Sequence, residues 1–294
     1  MITIPTTTIT QKDPPKESNF QKSHDDNFVD IEEEIQAQPV AISVGQSEYK
    51  GKSYPVALGS FGDFSCIVGA SKGRKTFLKS LIIACGIGGS SNLFSSSIKG
   101  HDMKDKYIID IDTEQSKFHS LRVFRRVAEM VGYNPEYYKP FSLRSMSADE
   151  RFAFIDWLFT KSQYVGNIGL VSIDGIADLV NDINDLEASN KVTQKLLEWS
   201  ANEKCHIITI LHRNFGTKKP TGHLGSAVLK KAETVIFVEP TDDDFVKVVP
   251  EYTRNQPFKE FSFGVNKDWL PYVIEDELPK SFTIKEDEEN DIGF

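Results

Sequence analysis

The chain has 294 residues, of which 39% are hydrophobic, and a formal net charge of −9 at pH 7. This length fits one large α/β domain with tails, or two small domains. No apolar run approaches the ~18 residues that would predict a membrane-spanning helix. The three isolated cysteines exclude a disulfide framework and a zinc motif, and they are typical of a reducing, cytoplasmic location. The first residues lack the basic and apolar regions of a secretory signal.

The acidity lies at the two ends of the chain. Residues 1–38 carry a net charge of −5 and residues 275–294 carry −6, whereas residues 39–274 carry +2. The first segment is polar and poor in apolar residues, which predicts a disordered arm. We therefore expect a folded domain at 39–274 followed by an acidic C-terminal tail. The charge of that domain does not argue against a nucleic-acid partner.

Buried apolar strands alternate with helical patterns through most of the expected domain. One strand is expected to begin at residue 64 and to lead into a glycine-containing loop. The other strands are expected at 40–44, 106–112, 141–143, 167–174, 206–212, 233–239, 246–253 and 258–265. Helices are expected at 76–85, 118–131, 148–160 and 186–202. This alternation is typical of a parallel sheet covered on both faces. We predict an α/β fold with a mostly parallel sheet, finished by antiparallel C-terminal strands.

Local patterns give further expectations for two helices and one loop. Ser147 followed by Glu150 predicts a capping box at the start of the helix 148–160. The helix 118–131 is amphipathic, and Arg122, Arg125 and Arg126 are expected to form its exposed basic face. The sequence RNFGTKKPTG at 213–222 predicts a polar, basic loop.

The segment FSCIVGASKGRKTFL at 64–78 predicts a buried strand, a tight loop and the start of a helix. It fits the phosphate-loop pattern G-x-x-x-x-G-K-[ST] except at the second glycine, where Arg74 stands. In such a loop the backbone N–H groups point at phosphates, Lys75 places a charge on the β- and γ-phosphates, and the Thr76 hydroxyl can bind Mg²⁺. The alternative is a lysine-bearing turn before a helix. The residues expected to bind nucleotide here are Gly69, Ala70, Ser71, Lys72, Gly73, Arg74, Lys75 and Thr76.

Two carboxylates follow buried strands at the edge where ligands bind in α/β sheets. Asp174 ends the strand IGLVSID and could hold Mg²⁺, or it could only start a turn with Gly175. Glu114 follows IDID and could deprotonate an attacking water. The alternative for this segment is helix capping by Asp112 or Thr113. We favour the catalytic interpretation for Glu114.

Polar residues after later strands have two interpretations each. His212 could face the γ-phosphate, or it could be a core histidine bonded to the backbone. Lys218 and Lys219 in the basic loop could contact nucleic-acid phosphates or only solvent. Arg254 could be an ordinary surface residue, or it could reach the γ-phosphate of a neighbouring subunit as an arginine finger.

The order of these motifs resembles that of the RecA-like ATPases. The likeness lies in GASKGRKTFL, IDIDTEQ, SIDGIADLVNDIND, ILHRNFGTKKPTGHLGSAV and TRNQPF, and it covers about residues 55–265. The chain resembles most the hexameric replicative helicases of the DnaB and RepA types and related ATPases of phages and mobile elements. The resemblance implies a RecA-like fold with ATP and Mg²⁺ as ligands. It also implies a homo-oligomeric ring, expected to be a hexamer, that acts on single-stranded DNA in replication, mobilisation or recombination.

The resemblance implies a role for each residue that matches a motif. Lys75 and Thr76 would bind phosphate and Mg²⁺, with Asp174 as the Walker B carboxylate. Glu114 would be the catalytic carboxylate, and His212 would sense the γ-phosphate.

For the assembled ring, the resemblance implies further contacts. Arg254 would act in trans as the finger arginine. The loop 213–222 would face a central channel, and the candidate DNA contacts are Arg213, Lys218, Lys219 and His223.

Arg74 is the main departure from the pattern, and it supports an alternative function. A chain with a degraded phosphate loop could be a nucleotide-binding adaptor or regulatory protein that recruits partners through its tails. The sequence ends in DEENDIGF, an acidic run with an apolar tip, which could bind replication or mobilisation proteins or be a solvated tail.

Overall fold

The computed structural model of the protein describes residues 18–32, 37–89, 95, 97–213, 222–241 and 244–274. The chain forms two units, Met1–Ala37 and Gln38–Phe294. In the first unit, helix α1 occupies Ser18–Asn27, which differs from the disordered arm expected there. Local bonds hold this helix, including one from Gln21 Nε2 to Asp25 Oδ1 at 3.1 Å, the i,i+4 spacing that places side chains on one helix face.

The second unit contains a nine-stranded sheet with the order β12-β11-β10-β9-β3-β8-β7-β5-β6. Its strands are β3 (Phe64–Gly69), β5 (Tyr107–Asp112), β6 (Tyr138–Ser142), β7 (Ile168–Asp174), β8 (His206–His212), β9 (Thr234–Pro240), β10 (Val246–Thr253), β11 (Phe261–Val265) and β12 (Pro271–Ile274). The six strands from β9 to β6 pair in parallel, and β10, β11 and β12 are added antiparallel. This confirms the predicted α/β class and the antiparallel C-terminal strands.

Helices pack on both faces of this sheet because its strands are apolar on both sides. The helices of this unit are α2 (Lys75–Gly88), α3 (Lys117–Val131), α4 (Ala148–Thr160), α5 (Leu186–Glu203), α6 (Gly222–Lys231) and a 3₁₀ turn at Ile176–Leu179. In β3, Ile67 belongs to the core under α2 and α3, while Cys66 and Val68 belong to the core under α4, α5 and α6. Alternate residues of a strand point to opposite faces, so one strand contributes to both cores.

A second, three-stranded sheet has the order β2-β1-β4, with β1 at Val40–Tyr49, β2 at Lys52–Ser60 and β4 at Ile98–Gly100. The β1–β2 hairpin turns at Lys50 and Gly51, which both have positive φ, 50° and 73°. This is the conformation that a two-residue hairpin turn favours. The sequence predicted only the first half of β1, and β4 was not predicted.

The strand registers place a glycine and three polar residues at one edge of the main sheet. Gly69 at the end of β3 lies beside His212 at the end of β8, and Asp112 at the end of β5 lies beside Asp174 at the end of β7. Because β3, β8, β7 and β5 are consecutive in the sheet, their carboxyl ends form one continuous edge. Within the described residues, no helix is long and apolar enough to cross a membrane.

Candidate nucleotide site

The loop between β3 and α2 folds into a tight turn. Gly73 N donates to Ala70 O at 3.0 Å, and a Cβ added to Gly73 would lie 2.8 Å from the same oxygen. The flanking residues Lys72 and Arg74 are both left-handed, with φ of 59° and 62°. A turn that alternates in this way can direct successive N–H groups towards an anion. Position 73 therefore requires a glycine for steric reasons, although the phosphate-loop pattern leaves this position open.

Arg74 adopts the backbone conformation that the missing glycine would adopt most readily. A left-handed non-glycine residue costs about 1 kcal/mol or more. The Arg74 guanidinium donates to the carbonyl and the carboxylate of Asp244, which precedes β10. The variant loop thus keeps the conformation expected of a phosphate loop and gains an ion pair.

Lys75, the first residue of α2, is buried at the centre of the site. Its Nζ lies 2.8 Å from Ala70 O, 3.2 Å from Gly69 O and 3.1 Å from His212 Nδ1. Burial lowers the pKa of Lys75, and the carboxylates of Asp174 and Glu114 oppose that shift. The ammonium therefore rests on loop carbonyls that a phosphate oxygen could replace.

Thr76 and Asp174 meet as the sequence predicted. Thr76 Oγ1 lies 3.2 Å from Asp174 Oδ2. Burial raises the pKa of Asp174, and the Lys79 ammonium opposes that rise. A hydroxyl and a carboxylate at this spacing fit the protein ligands of Mg²⁺, which normally keeps waters and takes phosphate oxygens as its other ligands. Within the described part of the chain, no cluster of three or more His, Cys, Asp or Glu could hold a metal by itself.

A buried ion cluster lies directly beneath this pair. Lys79 Nζ is 2.9 Å from Asp110 Oδ1 and 3.4 Å from Asp174 Oδ2. Asp110 also accepts hydrogen bonds from Ser172 and, at 2.8 Å, from Tyr138. Burial opposes the charge of Lys79, but the neighbouring carboxylates outweigh it and raise the pKa of this lysine. The cluster fixes one side of Asp174.

Glu114 and His212 form a second contact at the edge of the site. His212 Nε2 lies 2.9 Å from Glu114 Oε1, and this hydrogen bond holds the pKa of Glu114 below its usual range. Because Lys75 donates to Nδ1, we assign the proton of neutral His212 to Nε2. Asp112 builds the turn that carries Glu114, since Asp112 Oδ1 accepts from Glu114 N at 3.0 Å and Gln115 N at 2.8 Å. The expected helix cap at Asp112 or Thr113 is wrong, because Ser116 is the N-cap of α3, and the catalytic role of Glu114 stays a prediction.

These side chains line one open cavity of about 400 Å³. Its lining residues are Ser71, Lys72, Gly73, Arg74, Lys75, Thr76, Phe77, Glu114, Gln115, Val123, Arg126, Asp174 and His212. The volume is within the range of small-molecule sites. The expected exposure of Arg126 is wrong, because this side chain is half-buried against α2 and lies in the cavity wall.

The other predicted residues that the structure describes do not line this cavity. Arg213 is near it, with its N–H donating to Gly69 O at 3.2 Å and its Nη1 3.8 Å from Glu239 Oε1. His223 lies in the first turn of α6 and lines a separate cavity of about 310 Å³ beside α5. Lys218 and Lys219 fall outside the described residues.

Arg254 is placed at the opposite edge of the sheet. It follows β10, which runs antiparallel to β9 and ends beside Thr234 at the start of that strand. Its Nη2 donates to Lys231 O at 2.7 Å, and its Nη1 lies 3.6 Å from Asp63 Oδ2. Within one chain, Arg254 is not brought to the phosphate loop.

Sequence reasoning missed five of the residues that shape the site. Phe77, Gln115 and Arg126 line the cavity, and Lys79 with Asp110 supports it from below. Lys79 and Asp110 had a signal, because each is an ionisable residue inside an apolar run, TFLKSLIIA and YIIDID. Such residues are seldom buried unless they are paired. Arg126 had no such signal, since it stands among other basic residues.

No protein-family model matches the chain, and no curated protein matches it. The chain is similar to the crystal structure of the RadB recombinase, with a TM-score of 0.51 at 16% sequence identity. The likeness covers 73% of this chain and 92% of the RadB chain. At this identity it shows the fold alone, so the RecA-like fold is confirmed. The expected relation to the DnaB and RepA branch stays a prediction.

Proposed function

We propose that the protein binds and hydrolyses ATP with Mg²⁺, as a RecA-like motor or accessory ATPase that acts on DNA. The observation that supports this most is the meeting of Lys75, Thr76, Asp174, Glu114 and His212 in one cavity of about 400 Å³. They come from four elements, and each has the chemical character that its place in a phosphate-transfer site requires. The RecA-like fold puts the cavity at the carboxyl edge of parallel strands, the usual ligand position in α/β sheets.

Each side chain has a definite part in this proposal. Lys75 would leave the loop carbonyls and place its charge on the β- and γ-phosphates. Thr76 and Asp174 would hold Mg²⁺, which neutralises charge on the phosphate oxygens when bound. Glu114 is ionised at neutral pH and can accept a proton from an attacking water. His212 contacts both Lys75 and Glu114. A shift of Lys75 towards a phosphate would therefore change the hydrogen bonding of the Glu114 carboxylate.

The assembled state belongs to the same proposal and rests on the sequence resemblance. Copies of the chain would form a ring, expected to be a hexamer, around single-stranded DNA. Arg254 would act in trans on a neighbouring site, and Arg213, Lys218, Lys219 and His223 would contact DNA. Arg254 is about half exposed, so a neighbouring chain could reach it, but it would have to leave Asp63.

ATP turnover measured with and without single-stranded DNA tests the proposal. We expect turnover by the natural chain and its loss in Lys75→Ala and Glu114→Gln, with Glu114→Gln still binding ATP. Lys104→Ala, an exposed lysine change, is the matched control and should keep full activity. Absence of turnover under all DNA conditions would overturn the hydrolytic part of the proposal.

Arg74 favours a second candidate, a nucleotide-binding adaptor without turnover. Its left-handed backbone and its link to Asp244 give the loop a restraint that a glycine would not impose. An adaptor would bind ATP without hydrolysing it, and the Lys75→Ala change would abolish that binding. Gain of turnover on Arg74→Gly would then assign the lack of activity to this residue.

A further inference from the structure

The cavity contains an arginine that no motif assigns. Arg126 lies on α3 and faces α2, where its Cζ is 3.9 Å from the centroid of the Phe77 ring. Its Nη1 donates to Ser80 Oγ at 3.3 Å. The guanidinium is thus held flat against Phe77, one residue beyond Thr76, with only one of its five N–H donors in this weak bond.

The charge of Arg126 is partly desolvated, and it makes no ion pair with a carboxylate of the residues that the structure describes. No Asp or Glu of the described chain lies within ion-pair distance of it. Burial lowers the pKa of Arg126 to about 10, and the nearby charge of Arg122 adds to that effect. An unpaired cation in such surroundings is unfavourable unless a ligand supplies the opposite charge.

The other cations of the cavity show what is unusual here. Arg74 pairs with Asp244, and Lys72 is exposed to solvent. Lys75 resembles Arg126, because it is at least half-buried and makes no ion pair with a described carboxylate. It bonds instead to loop carbonyls and His212. Arg126 and Lys75 therefore share the property expected of groups whose partner is the ligand.

We infer that Arg126 binds the phosphate chain of the nucleotide in cis, from the α3 side of the cavity. The inference deepens the proposed function and rests on it, since the ligand is the nucleotide of the same site. A guanidinium with a fixed plane can give a phosphate two parallel hydrogen bonds. Phe77 fixes that plane, so Phe77 is a positioning residue for Arg126.

Titration calorimetry with ATP and with inorganic tripolyphosphate tests this contact. Arg126→Met keeps the apolar packing on Phe77 and removes the charge, and it should weaken the binding of both ligands about tenfold or more. Arg126→Lys keeps the charge without the planar fork and should recover part of the affinity. Arg125→Met, an exposed change on the same helix, is the matched control and should bind as the natural chain does.

The possible results separate this inference from the proposed function. Absence of binding of both ligands to the natural chain would overturn both. Normal binding by the natural chain together with unchanged affinity in Arg126→Met would overturn the inference alone. Loss of ATP affinity without loss of tripolyphosphate affinity would also overturn it, because Arg126 would then contact the nucleoside. Equal losses of affinity in Arg126→Met and Arg125→Met would also overturn the inference, because the effect would then come from the net charge of the protein. Circular dichroism of each variant confirms that it is folded.

Discussion

The two edges of the parallel strands collect the same kinds of side chain but use them differently. At the carboxyl edge, lysine, histidine and carboxylates surround an open cavity of about 400 Å³. At the amino edge, His206 at the start of β8 and Glu233 just before β9 are buried. There, Glu233 accepts from Ser60 N at 2.8 Å, Ser60 Oγ at 2.6 Å and Asn255 Nδ2 at 2.8 Å.

The difference shows how a ligand site is distinguished from a structural polar cluster. Glu233 at the amino edge has its bonds supplied by the protein, so removing them can only weaken the fold. At the carboxyl edge, Lys75 and Arg126 make no ion pair with a described carboxylate, which is the property we expect where a ligand supplies the counter-charge. Openness and missing counter-charge indicate a binding site better than the types of residue do.

The largest expected effect concerns Lys79, which lies beneath the open edge but forms ion pairs with buried carboxylates, as a structural residue does. We expect Lys79→Met to lower the free energy of unfolding by about 3–5 kcal/mol, since it leaves the buried charge of Asp110 without its partner. Urea unfolding followed by circular dichroism measures the change. The double variant Lys79→Met, Asp110→Asn should be more stable than Lys79→Met, and the exposed Lys104→Met should match the natural chain. A loss below about 1 kcal/mol in Lys79→Met would contradict the structural role of the cluster.

His206 gives the closed edge a pH dependence. Burial lowers the pKa of His206 to about 4, and its Nδ1 lies 2.9 Å from Ser60 O. The ordinary histidine pKa is about 6.5, so between pH 6.5 and pH 4 the unfolded chain binds a proton that the folded chain does not. This contribution to stability is complete above pH 6.5 and is lost as the pH falls towards 4, by about 3 kcal/mol.

Urea unfolding at pH 4.5 to 7.5 measures this dependence, with His206→Phe as the comparison. The variant should be less stable at pH 7 because Ser60 O loses its donor, but its stability should vary less over the acidic range. Asp63 lies nearby, with a pKa raised by burial and a charge that interacts with His206, so the difference between the two chains measures the histidine together with this interaction. Parallel pH profiles for both chains would contradict the assignment.

Arg74→Gly is the smallest expected change and concerns the backbone of the open edge. Glycine adopts the left-handed conformation freely, so the free energy of unfolding should rise by about 1 kcal/mol, less the contribution of the half-exposed ion pair with Asp244. Asp244→Asn, which removes the charge and tolerates the left-handed backbone of this residue (φ 64°), separates the two effects. Thermal unfolding of both variants provides the measurement. A marked loss of stability in Arg74→Gly would show that the side-chain contact outweighs the backbone cost.

Much of this structure follows from local sequence patterns. The capping box at Ser147 and Glu150 is confirmed, and the strand at 206–212 has the predicted bounds. These features depend on neighbouring residues, which a linear pattern contains. The pair of Thr76 and Asp174 was also anticipated, because parallel strands bring their carboxyl ends together.

The features that were missed depend on distant packing. The strand β4 is three residues long and exists because it pairs with β1, more than fifty residues earlier. Helix α6 was not predicted, because the region before it is rich in polar and basic residues and only a loop was expected there. The half-burial of Arg126 depends on how α3 packs on α2, and the residues around it in sequence give no sign of that contact.

The position of β3 at the middle of the sheet has a consequence for the synthesis of the protein. Its two neighbours are β8 and β9, and Gly69 pairs with His212 on one side and Val238 on the other. At ~5–20 residues per second, about 170 further residues take roughly 10–30 s to be made. During that time the phosphate loop has left the ribosome but lacks the strands that hold it. A nascent chain of this protein therefore presents the apolar strand Phe64–Gly69 before either of its neighbouring strands has been made.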